Sequence, residues 1–221
     1  MSFPALDQVS TGFGSLLVSL VAGEGSGSHA WLHSAELNAG PEATRNMADM
    51  LHLLSLLHGT QPGLIEASAE RNVVPEADNW FLGAIAGFAA ERAYMAQLIV
   101  AAGPAPSTPG EAATVAAVLA QRHALDTIAH SDRFGCALGA TAGLLLDWMP
   151  IRAALDTAAE RLGVDPAPIE LPTEEETSAL LAALPPRPRL DRTLSFGARQ
   201  LLVHHQCMMD LLETRASARA G

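Results

Sequence analysis

Apolar residues recur at three- and four-residue intervals along most of the chain, and start and stop signals between these runs cut it into helices. Pro41 and Glu42 open the first, in which Met47, Met50, Leu51, Leu54 and Leu57 form one stripe up to His58, and Gly59 ends it. A short helix fits residues 61–72. After Val73, Val74 and Pro75 the pattern restarts at 76 and holds to 102, where Gly103 and Pro104 stop it. Thr108, Pro109 and Glu111 read as a capping box, which opens a helix over 109–130. Ser131 and Asp132 cap a further helix over 132–163, which Pro150 must kink or split. Without a break near Ser131 these two helices would merge into a rod of about 80 Å, too long for a compact domain. Thr173 to Glu176 is a second capping box, opening a short helix to Leu184, and Pro185 to Pro188 is a stiff extended linker. Leu194, Ala198, Leu201, His205, Met208 and Leu212 mark a last helix over 191–216. No strand-like alternation and no internal repeat interrupts this pattern.

The expected fold is therefore all-α. A single domain over 1–221 is expected, with an N-terminal extension (1–40), a bundle core (41–163), a segment of loop, short helix and Pro-rich linker (164–190), and a C-terminal helix (191–221). Composition agrees: 49% hydrophobic with 17% charged residues suits a sizeable core, and only 5% aromatic residues leaves it to small and unbranched side chains.

Charge narrows the functions. The formal net charge is −11 with no basic cluster, which argues against nucleic acid as a partner. All 13 basic residues are Arg, so neither Schiff-base chemistry nor a phosphate-loop lysine is possible. Cys136 and Cys207 read as two reduced core thiols of a cytoplasmic protein. The apolar stretch from Leu16 to Ala22 lacks a preceding basic residue, as a secretory leader would have. The longest apolar helical run, Phe134 to Leu146, is too short to span a bilayer, so no membrane partner is expected. The Gly-rich segments at Gly12 to Gly14 and Gly23 to Gly27 follow no strand, so neither reads as a nucleotide loop.

Sites inside helical bundles are made by polar side chains that point inward, so charges on apolar faces are the informative ones. In the helix over 76–102, Glu91 and Arg92 flank the face defined by Phe81, Ile85, Phe88, Met95 and Ile99. In the next, Arg122 and Asp126 lie on the face of Val115, Val118, Leu119 and Leu125, with His123 and His130 at its flank. Folding these two helices antiparallel brings Glu91 level with Arg122 or His123. Asp147 sits among Leu144, Leu145, Trp148 and Ile151, and His204 and His205 lie within the last apolar stripe. One of that pair is expected in the core on a carbonyl, the other at the surface. Glu91, His123, Asp126, His130 and Asp147 are thus the candidate metal ligands. The competing reading of the same five is a buried network with Arg92 and Arg122. Asp49 and His52 project opposite the Met/Leu face with Arg45 and read as solvated surface.

The stretch from Phe88 through Glu91 and Arg92 to Tyr94, the segment from Gly103 to Glu111, and the stretch from Gln121 through Asp126 to Cys136 together resemble an uncharacterised bacterial family of ferritin-like helical proteins, over roughly residues 41–163. The resemblance implies a ferritin-like four-helix bundle with additional N- and C-terminal helices. Di-iron members of that fold class use Glu-x-x-His motifs, and this chain has none; its nearest approximation is Asp49 with His52. The leading expectation is accordingly a motif-depleted bundle with a structural or interaction role, self-associating through the broad apolar face of its last helix. The alternative is a metal-binding protein or metal-dependent oxidoreductase that holds Fe, Mn or Zn at the five inward residues; no cofactor at all is an equal expectation.

Overall fold

The computed structural model describes residues 12–72, 74–184 and 189–220. Among these the chain forms nine α-helices and no strand. They are α1 (Phe13–Glu24), α2 (Ala35–Asn38), α3 (Ala43–His58), α4 (Leu64–Glu70), α5 (Asp78–Ala102), α6 (Glu111–Ala129), α7 (Cys136–Leu162), α8 (Glu174–Ala183) and α9 (Leu190–Ala220). Short 3₁₀ turns cover Ser26–Ser28, Ala30–His33 and Pro75–Ala77. No helix among the described residues is long and apolar enough to cross a membrane.

The axis of the molecule is the pair α7 and α9. A Cβ on Gly197 would overlap the carbonyl oxygen of Cys136, and one on Gly139 would overlap that of Leu194. The two helices therefore touch backbone to backbone, which only glycine permits at these positions. Around this pair α3 contributes Met50, Leu51 and Leu54, α5 contributes Phe88, Tyr94 and Met95, and α6 contributes Val118 and Leu125, all buried. Trp148 of α7 is wholly buried at the centre and packs edge-on to Phe88 at 4.8 Å between ring centroids. Burying side chains of this size contributes about 1.5–3 kcal/mol each. Residues 12–40 pack against the rest of the chain: α1 lies on α8 and α9, and the turn after it closes on α7.

Several local expectations change. The capping box at Thr173 forms, with Glu176 N donating to Thr173 Oγ1 (3.1 Å) and Thr173 N to Glu176 Oε2 (2.8 Å). The one expected at Thr108 does not: α6 starts at Glu111 behind Gly110 in the left-handed region (φ 79°). The Thr108 hydroxyl instead accepts from Arg219 Nη1 at 2.7 Å. Helix α7 starts at Cys136 rather than at residue 132, because Gly135 turns the chain at φ 84°. Pro150 neither splits nor interrupts it, and its ring faces Gly27. Cys136 is buried, whereas Cys207 is exposed and not a core thiol.

Asp49 and His52 are not solvated surface. Asp49 is buried and takes a two-point contact from Arg215 of α9, Nη2 at 2.8 Å and Nε at 3.0 Å, with Arg219 closing on the same carboxylate. His52 Nε2 meets the Gly103 carbonyl at 2.9 Å. The outward face of α3 is thus covered by the C-terminal turns of α9 and the loop before α6, and the guanidiniums neutralise the carboxylate there.

Removing one partner of a buried ion pair strands the other, so Asp49→Ala should lower the unfolding free energy by about 3–5 kcal/mol. Arg45→Ala, which removes an exposed pair with Glu42, should change it by less than about 1 kcal/mol. Urea titrations of both variants check the contrast. Equal losses would mean that the α9 terminus does not clamp α3.

Candidate functional site

Three helices converge on a buried polar chain. Asp147 of α7 and His205 of α9 have no exposure, and His58 at the end of α3 has 5%. Asp147 Oδ1 accepts the Ser26 N–H at 2.8 Å, and its Oδ2 lies 2.6 Å from His205 Nδ1. His205 Nε2 in turn lies 2.8 Å from His58 Nε2. The Gly-rich turn exists for this contact: a Cβ on Gly25 would run into Asp147 Oδ1 and the Val21 carbonyl. It cradles a carboxylate of its own chain. The core histidine expected on a carbonyl is therefore bonded to a carboxylate and a second imidazole, while His204 is half-buried.

Proton positions follow from the partners. His205 Nδ1 faces a carboxylate, so it carries a hydrogen and donates it. Two Nε2 atoms in contact share one proton. Burial pushes the His58 imidazole well below its ordinary range, and the neighbouring His205 and Arg92 push it the same way. His58 is thus held neutral.

His58 also lines a cavity of about 310 Å³ between the 60–64 turn, α5 and α6. Its walls include Leu64, Phe88, Leu119 and Leu144, with Arg92, Arg122, His123 and Asp126 as the polar groups. Arg92 is fully engaged: Nε donates to the His58 carbonyl at 2.8 Å, and both Nη atoms fork onto Glu66. Burial would raise the Glu66 carboxyl, but the hydrogen bonds from Arg92 and the Gly63 N–H outweigh it and hold it below its usual value.

The five ligands expected from sequence occupy three places. Glu91 faces neither Arg122 nor His123. Its Oε1 takes Arg152 Nη1 at 2.6 Å and its Oε2 takes Trp148 Nε1 at 2.9 Å, and Arg152 is tied on to Asp156 at 3.0 Å. Tyr94 donates to that same Asp156 at 2.8 Å, and burial with this carboxylate raises its phenol above the usual range. Asp147 belongs to the histidine chain. His123 and Asp126 both line the cavity, and His130 lies exposed with Nδ1 at 2.8 Å from the Asp126 carbonyl.

Among the described residues, the group of three metal-ligating atoms within 4.8 Å of one another is His29, Asp210 and Glu213. This candidate chelating cluster corrects the expectation of a purely structural or interaction role. His29 sits in the turn after α1, with Nε2 at 3.1 Å from Asp210 Oδ1 and Nδ1 accepting the Trp31 N–H at 3.1 Å. Gln206 Nε2 holds the turn by donating to the Gly25 carbonyl (2.6 Å) and Ser28 Oγ (3.1 Å). Asp210 and Glu213, three residues apart on α9, are exposed. The sequence signal was their spacing, which marks two carboxylates on one face, but nothing in it placed His29 opposite them.

A histidine kept neutral in the fold costs stability when the unfolded chain protonates. His58 titrates near 6.5 when unfolded and lower when folded, so its effect is absent above about pH 6.5 and grows as pH falls. Wild-type stability should drop below that pH with a contribution of up to about 1.4 kcal/mol per pH unit from this group. In His58→Gln that part of the slope should vanish. Urea titrations at about pH 7.5 and 5.5 measure it, and parallel slopes for the two proteins would refute the assignment.

No curated protein and no solved structure matches the chain. A family model does, over residues 21–220, which takes in every helix named above except the first turns of α1. The chain belongs to that family, DUF6975, described as a family of unknown function.

Proposed function

We propose that this is a metal-binding protein whose divalent cation is held by His29, Asp210 and Glu213. The observation that carries the reading is the convergence of one imidazole nitrogen and two carboxylate oxygens within 4.8 Å. That donor set suits Fe, Mn or Zn, and its exposure leaves coordination positions for water or a substrate. A net charge of −11 adds a field that attracts cations. The ferritin-like label is kept as part of this proposal, supported by the long helices α3, α5, α6, α7 and α9 around one core. It places the cation outside the bundle, where the N-terminal turn meets α9. The free thiols of Cys136 and Cys207 support a cytoplasmic setting.

Binding has a structural consequence. A cation on His29 Nε2 moves the ring proton to Nδ1, which then confronts the Trp31 N–H instead of accepting it. The Ala30–His33 turn must shift, and the tryptophan fluorescence with it.

Protein purified without chelator should carry close to one equivalent of metal or take it up on titration with Zn, Mn or Fe(II), with a rise in Tm and a change in fluorescence. Asp210→Ala combined with Glu213→Ala should abolish uptake while leaving the fold intact, because both side chains are exposed. Less than about a tenth of an equivalent, with no gain in Tm on adding any of the three metals, would overturn the proposal.

A further inference from the structure

We propose that the cavity between α3, α5 and α6 binds a small organic monoanion with an apolar body, and that His58 at its floor is the proton acceptor for that ligand, relaying through His205 to Asp147. The site is separate from the metal cluster and uses none of its residues.

Each part of the proposal answers to a group in the fold. His58 commits Nε2 to His205, so the nitrogen it offers to the cavity is Nδ1. Among the described residues Nδ1 has no hydrogen-bond partner, although His58 as a whole is only 5% exposed. A buried imidazole fixed by Phe88 and Trp148, edge-on at 6.1 and 5.9 Å, with a lone pair turned to a cavity, is arranged as a base. Burial keeps that lone pair available by holding the ring neutral.

The anion preference comes from the arginines. Arg92 is neutralised by Glu66 and tied to the His58 carbonyl. Arg122 also lines the cavity, half-buried, and makes no ion pair or hydrogen bond among the described residues. One uncommitted guanidinium suits one carboxylate. Asp126, in the same lining, disfavours a second negative charge. Phe88, Leu119 and Leu144 supply the apolar wall, and 310 Å³ admits a body the size of a single aromatic ring.

The proton step balances within the chain. A neutral acid X–H gives its proton to His58 Nδ1 and so becomes the monoanion that Arg122 pairs; the His58 Nε2 hydrogen passes to His205 Nε2; His205, now an imidazolium, stays paired with the Asp147 carboxylate. The ligand keeps the electron pair of the broken bond. His205 and Asp147 are positioning residues that set the His58 tautomer and receive its charge, as the carboxylate behind a catalytic histidine does.

The test uses the full chain labelled with ¹⁵N-histidine, with benzoate as the probe. The free protein should show His58 unprotonated at Nδ1 and His205 protonated at Nδ1. Benzoate should shift the His58 Nδ1 resonance with a Kd of about 1 mM or tighter. Arg122→Ala should weaken this at least about tenfold at unchanged Tm, and Arg122→Lys should restore part of it. Diethylpyrocarbonate, which attacks unprotonated imidazole, should modify His58, and benzoate should protect it. A proton found on His58 Nδ1, His58 signals unmoved by about 10 mM benzoate, or affinity unchanged in Arg122→Ala would each overturn the proposal.

Discussion

Asp147 is a carboxylate at zero exposure, and an unpaired charge there would cost several kcal/mol. Its two donors come from opposite ends of the chain, the Ser26 N–H and His205 Nδ1. Meeting the first requires α1 to end at a glycine, because any side chain at residue 25 would strike the carboxylate. Meeting the second fixes the register of α9 against α7. One buried charge therefore makes the N-terminal turn and the C-terminal helix parts of a single core.

That register depends on small residues. Gly139 and Gly197 let α7 and α9 approach until backbone meets side of backbone, and the 2.6 Å contact between Asp147 and His205 lies farther along the same pair. Helix α9 then carries two kinds of chemistry on two faces. His205 points inward to His58, while Asp210 and Glu213 point outward to His29. Gln206, between them in sequence, ties the turn that bears His29 to the same helix. Any rotation of α9 would disturb both sets of contacts together.

Helical periodicity made α3, α5, α6 and α9 legible to within a few residues, because each shows a stripe that its neighbours cover. The inward setting of Glu91 and Asp147 was legible too, since each stands among apolar neighbours in its own helix. Their partners were not. Arg152 reaches Glu91, and His205 reaches Asp147, through helix crossings that no single helix's period encodes. Asp49 was misread for the same reason: its outward position on α3 became interior only when Arg215, 166 residues later, lay across it. His29 lay beyond reach because residues 25–34 form short 3₁₀ turns, whose side chains follow no long repeat.

The balance of charges is why opposite ligands are proposed for the two sites. Each inward carboxylate already has its neutralising or donating partner: Asp49 with Arg215 and Arg219, Glu66 with Arg92, Glu91 with Arg152, and Asp147 with His205. A cation entering the bundle would have to displace one of them. At the cavity, Arg122 makes no ion pair or hydrogen bond among the described residues and His58 Nδ1 has no partner, a combination suited to the proposed anion and proton. At the surface the arithmetic reverses, since two carboxylates gather within 4.8 Å of one imidazole, that of His29. The excess negative charge there is what the proposed cation would neutralise, and solvent lowers the cost of gathering the two carboxylates. Under both proposals, arginine placement neutralises the inward carboxylates and so leaves the outside of the bundle to a cation and the cavity to an anion.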